Sequence, residues 1–369
     1  MTVNFALIGC GRIASRHIEA IQATPAAKLI AVCDMNGTRA KERAEQASVP
    51  FFENYHEMLE KHKEIDVVGI LTPSGMHFEH AFEIMKIYKK HILLEKPMVM
   101  TVKQGVELKR AADNLNLKIF PVYQNRFNKA VQFVKKEMAE AGSLGKLRVG
   151  TVRVRWCRPQ RYYDLSAWRG TWAMDGGAMT NQGIHYIDLL RYVCGAIKSV
   201  NTKLATLGAD IEVEDTAVAI LEFQNGALGV IEIMTSARPD DFEASISCVC
   251  EKGLAVIGGI ATNELKVFSP DPQQVAHQSE VFPTVYGFGH DVIISDIVNC
   301  LSKNKIPSVS FEDGFETIKL LHALYKSDEA ARWIEVKEQV CSERLGKEDA
   351  SLSTLYRVSK KDCYEKEII

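Results

Sequence analysis

Residues Asn4 to Ala14 read N-F-A-L-I-G-C-G-R-I-A, an apolar run that breaks at Gly9-x-Gly11-x-x-Ala14 and leads into a helical pattern. Glycines at this spacing let the backbone turn tightly out of a strand and keep side chains away from whatever sits at the start of the next helix. That helix start offers free N–H groups and the positive end of a dipole, so the motif suits a phosphate held by backbone geometry. A second apolar run, Lys28 to Cys33, follows after a helix-length gap. It ends in Asp34, about 20 to 25 residues past the glycines, where a dinucleotide-binding βαβ unit carries a carboxylate for ribose hydroxyls. A carboxylate repels an added 2′-phosphate, so NAD is expected in preference to NADP. Arg39 reads as a charge on a helix surface, and Asn36-Gly37-Thr38 as a turn.

The 369 residues are enough for two domains, and 46% hydrophobic with 25% charged is ordinary for a soluble enzyme. A formal net charge of −2 argues against binding nucleic acid or an anionic membrane through bulk electrostatics. No apolar stretch reaches membrane-span length and the first residues enter a strand directly, so the cytoplasm is the expected compartment. The nine cysteines form no C-x-x-C pair and are expected to be reduced and structural. Cys248 and Cys250 are expected either to face opposite ways on a strand or to belong to a core. His77 and His80 lie one helical turn apart, but no carboxylate or thiol cluster completes a site, so no metal is expected.

The first third alternates apolar runs at Phe5–Ile8, Leu29–Cys33, Val67–Leu71, Ile92–Leu94 and Ile119–Val122 with amphipathic stretches. Such alternation predicts parallel strands joined by right-handed crossovers, with ligand at their carboxyl ends. Polar motifs fall at those ends: Thr72-Pro73-Ser74-x-x-His77, Glu95-Lys96-Pro97 and Tyr123-Gln124-Asn125-Arg126. Beyond them the pattern predicts a helix over Asn128–Ala141. Strands at Leu147–Trp156, Thr216–Gln224, Gly229–Thr235 and Ala244–Cys250 follow, with turns at Asn225-Gly226 and Lys252-Gly253. Helices are expected around His290–Leu301 and Gly314–Ser327. Past Trp333 the chain is polar and shows no strand pattern. The fold class is α/β: a doubly wound parallel-sheet domain over residues 1–123, an α+β domain with a large open, mainly antiparallel sheet over 124–335, and an accessory tail over 336–369.

Three elements occur in a telling order: the glycine turn, Glu95-Lys96-Pro97 after a strand, and the run Gly176-Gly177-Ala178-Met179-Thr180-Asn181-Gln182-Gly183-Ile184-His185-Tyr186-Ile187-Asp188. Together they resemble the Gfo/Idh/MocA oxidoreductase family over about residues 3 to 330. The resemblance implies a Rossmann domain, an open-sheet domain that often serves oligomer contacts, and nicotinamide-dependent oxidation or reduction of sugar and cyclitol hydroxyls. Lys96 then reaches the reacting hydroxyl, as a cleft lysine of lowered pKa can. The peptide before Pro97 tends to be cis in the family. His185, on a helix expected to continue to Val193, matches the second motif's histidine, whose imidazole suits proton removal.

Most members carry aspartate where this chain has Asn181, which puts a strict aspartate–histidine relay in doubt and leaves Asn181 to orient substrate. The branch with asparagine resembles UDP-N-acetylglucosaminuronate 3-dehydrogenases, whose substrate brings its own negative charges. The stretch Arg153 to Trp172 interleaves arginines with aromatics, as a pocket for a nucleotide sugar would. By resemblance Gly9, Gly11, Arg12, Ile13, Asp34, Thr72, Ser74, His77, Glu95, Lys96, Gln124, Trp168 and Arg169 contact the dinucleotide. Lys96, Arg126, Arg158, Arg161, Tyr163, Asn181 and His185 meet a small sugar or nucleotide-sugar substrate. A homodimer or homotetramer is expected. The alternatives are an inositol or simple sugar dehydrogenase of the same family, and a non-catalytic regulator that senses dinucleotide.

Overall fold

The computed structural model describes residues 2–282 and 286–358. Six parallel strands form the first sheet: β1 (Val3–Ile8), β2 (Ala27–Cys33), β3 (Phe51–Phe52), β4 (Val67–Ile70), β5 (His91–Leu94) and β6 (Ile119–Pro121). Their spatial order is β3-β2-β1-β4-β5-β6, so the winding reverses between β1 and β4. Helices cover both faces, which explains why β4 is buried at all four residues and reads as an uninterrupted apolar run. The reversal opens a crevice at the strands' carboxyl ends. The glycine turn after β1, Thr72-Pro73-Ser74 after β4 and Glu95-Lys96-Pro97 after β5 therefore meet on one rim.

The second sheet has eight strands: β7 (Leu147–Arg155), β8 (Ile197–Ala205), β9 (Thr216–Phe223), β10 (Leu228–Met234), β11 (Glu243–Cys250), β12 (Leu254–Gly258), β13 (Glu264–Phe268) and β14 (Ile334–Glu335). They lie in the order β13-β12-β11-β7-β10-β9-β8-β14, with β7 and β10 parallel and the other pairs antiparallel. One face is covered and the other open. β9 buries Ala217, Ala219, Leu221 and Phe223 and turns Val218 and Ile220 out, the period of two that a half-covered sheet requires. The expected turns at Asn225-Gly226 and Lys252-Gly253 join β9 to β10 and β11 to β12.

Several elements differ from the sequence pattern. The helix from residue 129 ends at Glu137, and Asn36 caps the helix Gly37–Ala47 by accepting from the Arg39 N–H. β14 lies past Trp333, where no strand is expected, because its two residues borrow their order from β8. Cys248 and Cys250 share the buried face of β11, as residues two apart on a strand must. The Cys248 Sγ sits 3.5 Å from Cys194 Sγ.

The two sheets are tied by helices that return late in the chain. Helix Gly289–Lys303 lays Ile293, Ile294 and Ile297 into the same apolar cluster as Phe5 and Leu7 of β1 and Ile18 of helix Ala14–Ala23. Helix Phe311–Ala330 packs on β8 and presses Phe315 against Gly105 of helix Val102–Leu115, where an added Cβ would lie 2.1 Å from the ring. The tail then folds back. Leu352 packs with Met76 and Met174, and Arg357 clasps Glu79 at 2.7 and 2.8 Å, while residues 359–369 lie outside the described residues. Among the described residues no helix is long and apolar enough to cross a membrane.

Candidate active site

At the glycine turn, Gly9 has φ +97°, and a Cβ there would come 2.5 Å from the Leu71 carbonyl oxygen, so strand β1 can approach the β4 loop this closely only through glycine. A Cβ on Gly11 would meet nothing within 4 Å, which leaves open space at the start of helix Ala14–Ala23. That helix has no side-chain cap and no acidic residue in its first turn, so the positive end of its dipole faces this space uncompensated, although the Ala14 and Arg16 N–H groups donate to the Gly11 and Ile13 carbonyls. Arg12 is exposed and Ile13 half-buried beside this space. Asp34 sits half-buried at the end of β2, accepting from Cys10 N and Asn36 N, each at 2.8 Å.

The β4 and β5 loops are locked together. His77 is buried, with its ring nitrogens 2.7 Å from the Pro97 carbonyl oxygen and 2.9 Å from that of Thr72. Expected on the dinucleotide, His77 instead joins two loops that border the crevice. Thr72 meets His80 Nδ1 at 3.1 Å through its hydroxyl, Ser74 is buried, and the Lys96–Pro97 peptide is cis.

Behind Lys96, Glu95 is buried with His17 Nε2 at 2.8 Å and His290 Nε2 at 4.0 Å, residues brought from two helices far apart in sequence. Burial alone would raise the Glu95 carboxyl, but the hydrogen bond from His17 and the electrostatic influence of His17, His290 and Lys96 hold it at about 2. Ligand-type atoms of His17, Glu95 and His290 all lie within 4.8 Å of one another, and the Glu95 oxygens already accept from His17 and from the Lys96 N–H.

The Lys96 ammonium crosses to the second motif. Its Nζ donates to the Asn181 backbone oxygen at 2.7 Å and faces Asn181 Oδ1 at 3.5 Å. Burial lowers its pKa, with Arg169 adding to the effect and Glu95 and Asp175 opposing it. His185 stands four residues beyond Asn181, in the first turn of the next helix, Ile184–Cys194. Burial, and then the charge of Lys96, push its imidazole down to about 3, so the ring is neutral at ordinary pH. Its Nδ1 is buried with no hydrogen-bond partner. Gln124 Oε1 and Arg169 Nε are orphaned in the same way. Leaving such atoms unmade costs free energy that a bound polar group recovers.

The approach to Asn181 demands glycine. Gly177 has φ +81°, and a Cβ there would lie 2.0 Å from the Glu214 carboxylate. Glu214 is buried beneath the turn, accepts from Met179 N and the Tyr325 hydroxyl, and is pushed by burial up to about 8.

The arginine and aromatic stretch is partly spent on itself. Arg158 pairs with Asp241 at 2.8 Å and lies over Trp156 and Tyr162. Arg169 stacks over Tyr162 at 4.2 Å and Trp168 at 4.8 Å, within electrostatic reach of Lys96. Arg161 is exposed, and Tyr163 is buried with its hydroxyl on Thr235 at 2.9 Å. Arg126 requires a correction. Expected on substrate, it is among the most deeply buried side chains, donating to both Asp188 oxygens at 2.7 and 2.5 Å and to Asp313. Its guanidinium braces the fold rather than the cleft.

Asp175 was missed by the sequence reading. Only 1% exposed, it accepts from Gly170 N at 2.7 Å and from the Asn181 side-chain amide. Burial pushes its carboxyl up to about 6. Its position just before Gly176-Gly177, in a chain with an amide at 181, was the available signal.

The description "Oxidoreductase family, NAD-binding Rossmann fold" matches residues 3–123, and "Oxidoreductase family, C-terminal alpha/beta domain" matches 136–336. The chain belongs to the Gfo/Idh/MocA oxidoreductase family. It is similar to the WlbA dehydrogenase of Bordetella pertussis, solved with NADH and UDP-GlcNAcA, at 36% identity and TM-score 0.85, covering 91% of this chain and 98% of that one. The WlbA dehydrogenase of Chromobacterium violaceum, solved with the same ligands, is 34% identical with TM-score 0.84 over 91% and 96% of the two chains. Among curated relatives, the myo-inositol 2-dehydrogenase of Thermotoga maritima is 25% identical over 90% of this chain and 98% of its own. The chain is thus an NAD-dependent, sugar-type dehydrogenase. The free helix N-terminus, the space over Gly11 and the Asp34 carboxylate fit that dinucleotide.

Proposed function

We propose that this enzyme oxidises the ring 3-hydroxyl of a UDP-linked N-acetylaminouronic acid of the UDP-GlcNAcA type to the 3-keto sugar. The observation that carries this reading is the Lys96 ammonium held on Asn181, with neutral His185 near enough to feel its charge, at the carboxyl rim of a dinucleotide-binding sheet. The amide at 181 and the cationic, aromatic lining from Arg158, Arg169, Tyr162 and Trp168 support a substrate that carries its own negative charge and a stacking base.

When bound, the dinucleotide supplies the acceptor for the hydride leaving C3. Asp34 and the N–H groups of helix Ala14–Ala23 hold its ribose and phosphates, with Thr72, Ser74, Glu95 and Gln124 along the crevice. Lys96, whose pKa burial lowers, can shed its proton and then take that of the substrate hydroxyl as the carbonyl forms. His185, neutral, directs a ring nitrogen at the same hydroxyl and fixes its orientation.

NADH formation with UDP-GlcNAcA, compared with free myo-inositol and glucose, tests the proposal. Turnover of the nucleotide sugar, lost in Lys96→Met while NAD still binds, supports it. Turnover of the free polyols alone would replace it with the inositol-type reading that the Thermotoga relative represents. NAD binding without reduction by any sugar would favour a dinucleotide sensor.

A further inference from the structure

We propose that Asp175 is a positioning residue for Lys96, acting through the side-chain amide of Asn181 and supplying from one side chain further out the carboxylate that position 181 lacks. This rests on the reading of Lys96 as the group that meets the substrate hydroxyl. Asp175 Oδ2 is fixed by Gly170 N at 2.7 Å, and Oδ1 accepts from Asn181 Nδ2. An ionised carboxylate can only accept, so the amide cannot turn round: Nδ2 faces Asp175 and Oδ1 faces Lys96. The flipped amide would set two oxygens against each other on one side and two donors on the other.

Lys96 Nζ therefore finds only acceptors on Asn181, the backbone oxygen at 2.7 Å and Oδ1 at 3.5 Å. An ammonium has three N–H bonds, and the remaining one is free for the hydroxyl. Asp175 also acts by its field. Among the groups around it, Lys96 and Arg169 are cationic, Glu214 is a carboxyl, and Tyr162, Tyr163 and Tyr325 are phenols. Its charge supports the ammonium against burial, but from further away than a carboxylate at 181 would. Lys96 is held in place yet gives up its proton more readily than beside a direct carboxylate.

The test follows acetylation of Lys96 by trace acetic anhydride across pH, read by mass spectrometry in cofactor-free protein. Asp175→Asn keeps an acceptor for the amide and removes the charge. Its Lys96 labelling midpoint is expected to move to lower pH with the thermal midpoint unchanged, and kcat to fall roughly 10- to 100-fold. The swap Asp175→Asn with Asn181→Asp returns a carboxylate to the pair and should bring the labelling midpoint back to the wild-type value or above it. An unchanged midpoint in folded Asp175→Asn overturns the proposal. If Asp175→Asn does not fold, the swap decides, and a midpoint below wild type in that variant overturns it too. A wild-type enzyme that oxidises no sugar refutes the substrate reading and leaves the labelling result standing.

Discussion

Replacing Arg126 with methionine should destabilise the fold far more than it disturbs substrate binding. The guanidinium and its partner Asp188 are 2% and 1% exposed, joined by two hydrogen bonds at 2.7 and 2.5 Å. The cation also lies over the rings of Tyr123 at 5.2 Å and Tyr192 at 4.8 Å. Removing one partner of a buried ion pair leaves the other charged and uncompensated, at about 3 to 5 kcal/mol. Thr317, which donates to Asp188 at 2.7 Å, and Arg191, 3.7 Å away, absorb part of that loss and favour the lower end, about 3 kcal/mol. Against a total stability of about 5 to 15 kcal/mol this is a large fraction. Urea unfolding followed by fluorescence and circular dichroism measures it, with agreement of the two probes licensing a single free energy. Replacing Asp188 as well, by leucine, should recover most of the loss, because the apolar pair buries no orphaned charge. A stability loss under about 1 kcal/mol, together with a raised KM for the sugar, would refute the structural role and return Arg126 to the cleft.

Asp34→Asn keeps an acceptor for the Cys10 N–H and loses the negative charge, so the preference for NAD over NADP in kcat/KM should fall roughly 10-fold, or about 1.4 kcal/mol; an unchanged ratio would show that the carboxylate does not face the ribose. His185, held down at about 3 by burial and then by Lys96, should show no protonation by NMR between about pH 5 and 8, and a titration in that window would contradict its neutral role. Truncation after Lys347 removes Leu352 from its contact with Met76 and Met174 and also breaks the exposed Arg357–Glu79 pair, which is worth at most about 1 kcal/mol. NAD affinity should weaken through the uncovered Met76 loop, and calorimetry giving an unchanged Kd would make the tail irrelevant to the crevice.

What the sequence disclosed was what local physics dictates. The turn at Gly9 is legible because only glycine tolerates φ +97° with a carbonyl so near, and the buried parallel strands are legible as continuous apolar runs. Lys96, Asn181 and His185 stand out by their order in the chain, and the fold brings the first two into contact. The partners were not legible. Nothing in the local pattern of Gln124-Asn125-Arg126 announces that Asp188 and Asp313 will claim the arginine, or that Asp241 will claim Arg158. β14 was invisible for a related reason: two residues carry no periodicity, and their strand exists only because β8 offers an edge.

The same distinction separates framework from site. Arg126 with Asp188, and His77 with the Thr72 and Pro97 carbonyls, have their polar capacity consumed inside the protein. Gln124 Oε1, Arg169 Nε and His185 Nδ1 are buried with theirs unspent. A buried polar atom left without a partner costs about 1 to 3 kcal/mol, which an apolar residue in its place would avoid. Arg169 and His185 lie within electrostatic reach of Lys96, so on the reading proposed above a ligand that meets them recovers the deficit where the hydroxyl is to be held. Binding energy is thereby concentrated on orienting the reacting bond, which is where a dehydrogenase gains most from it.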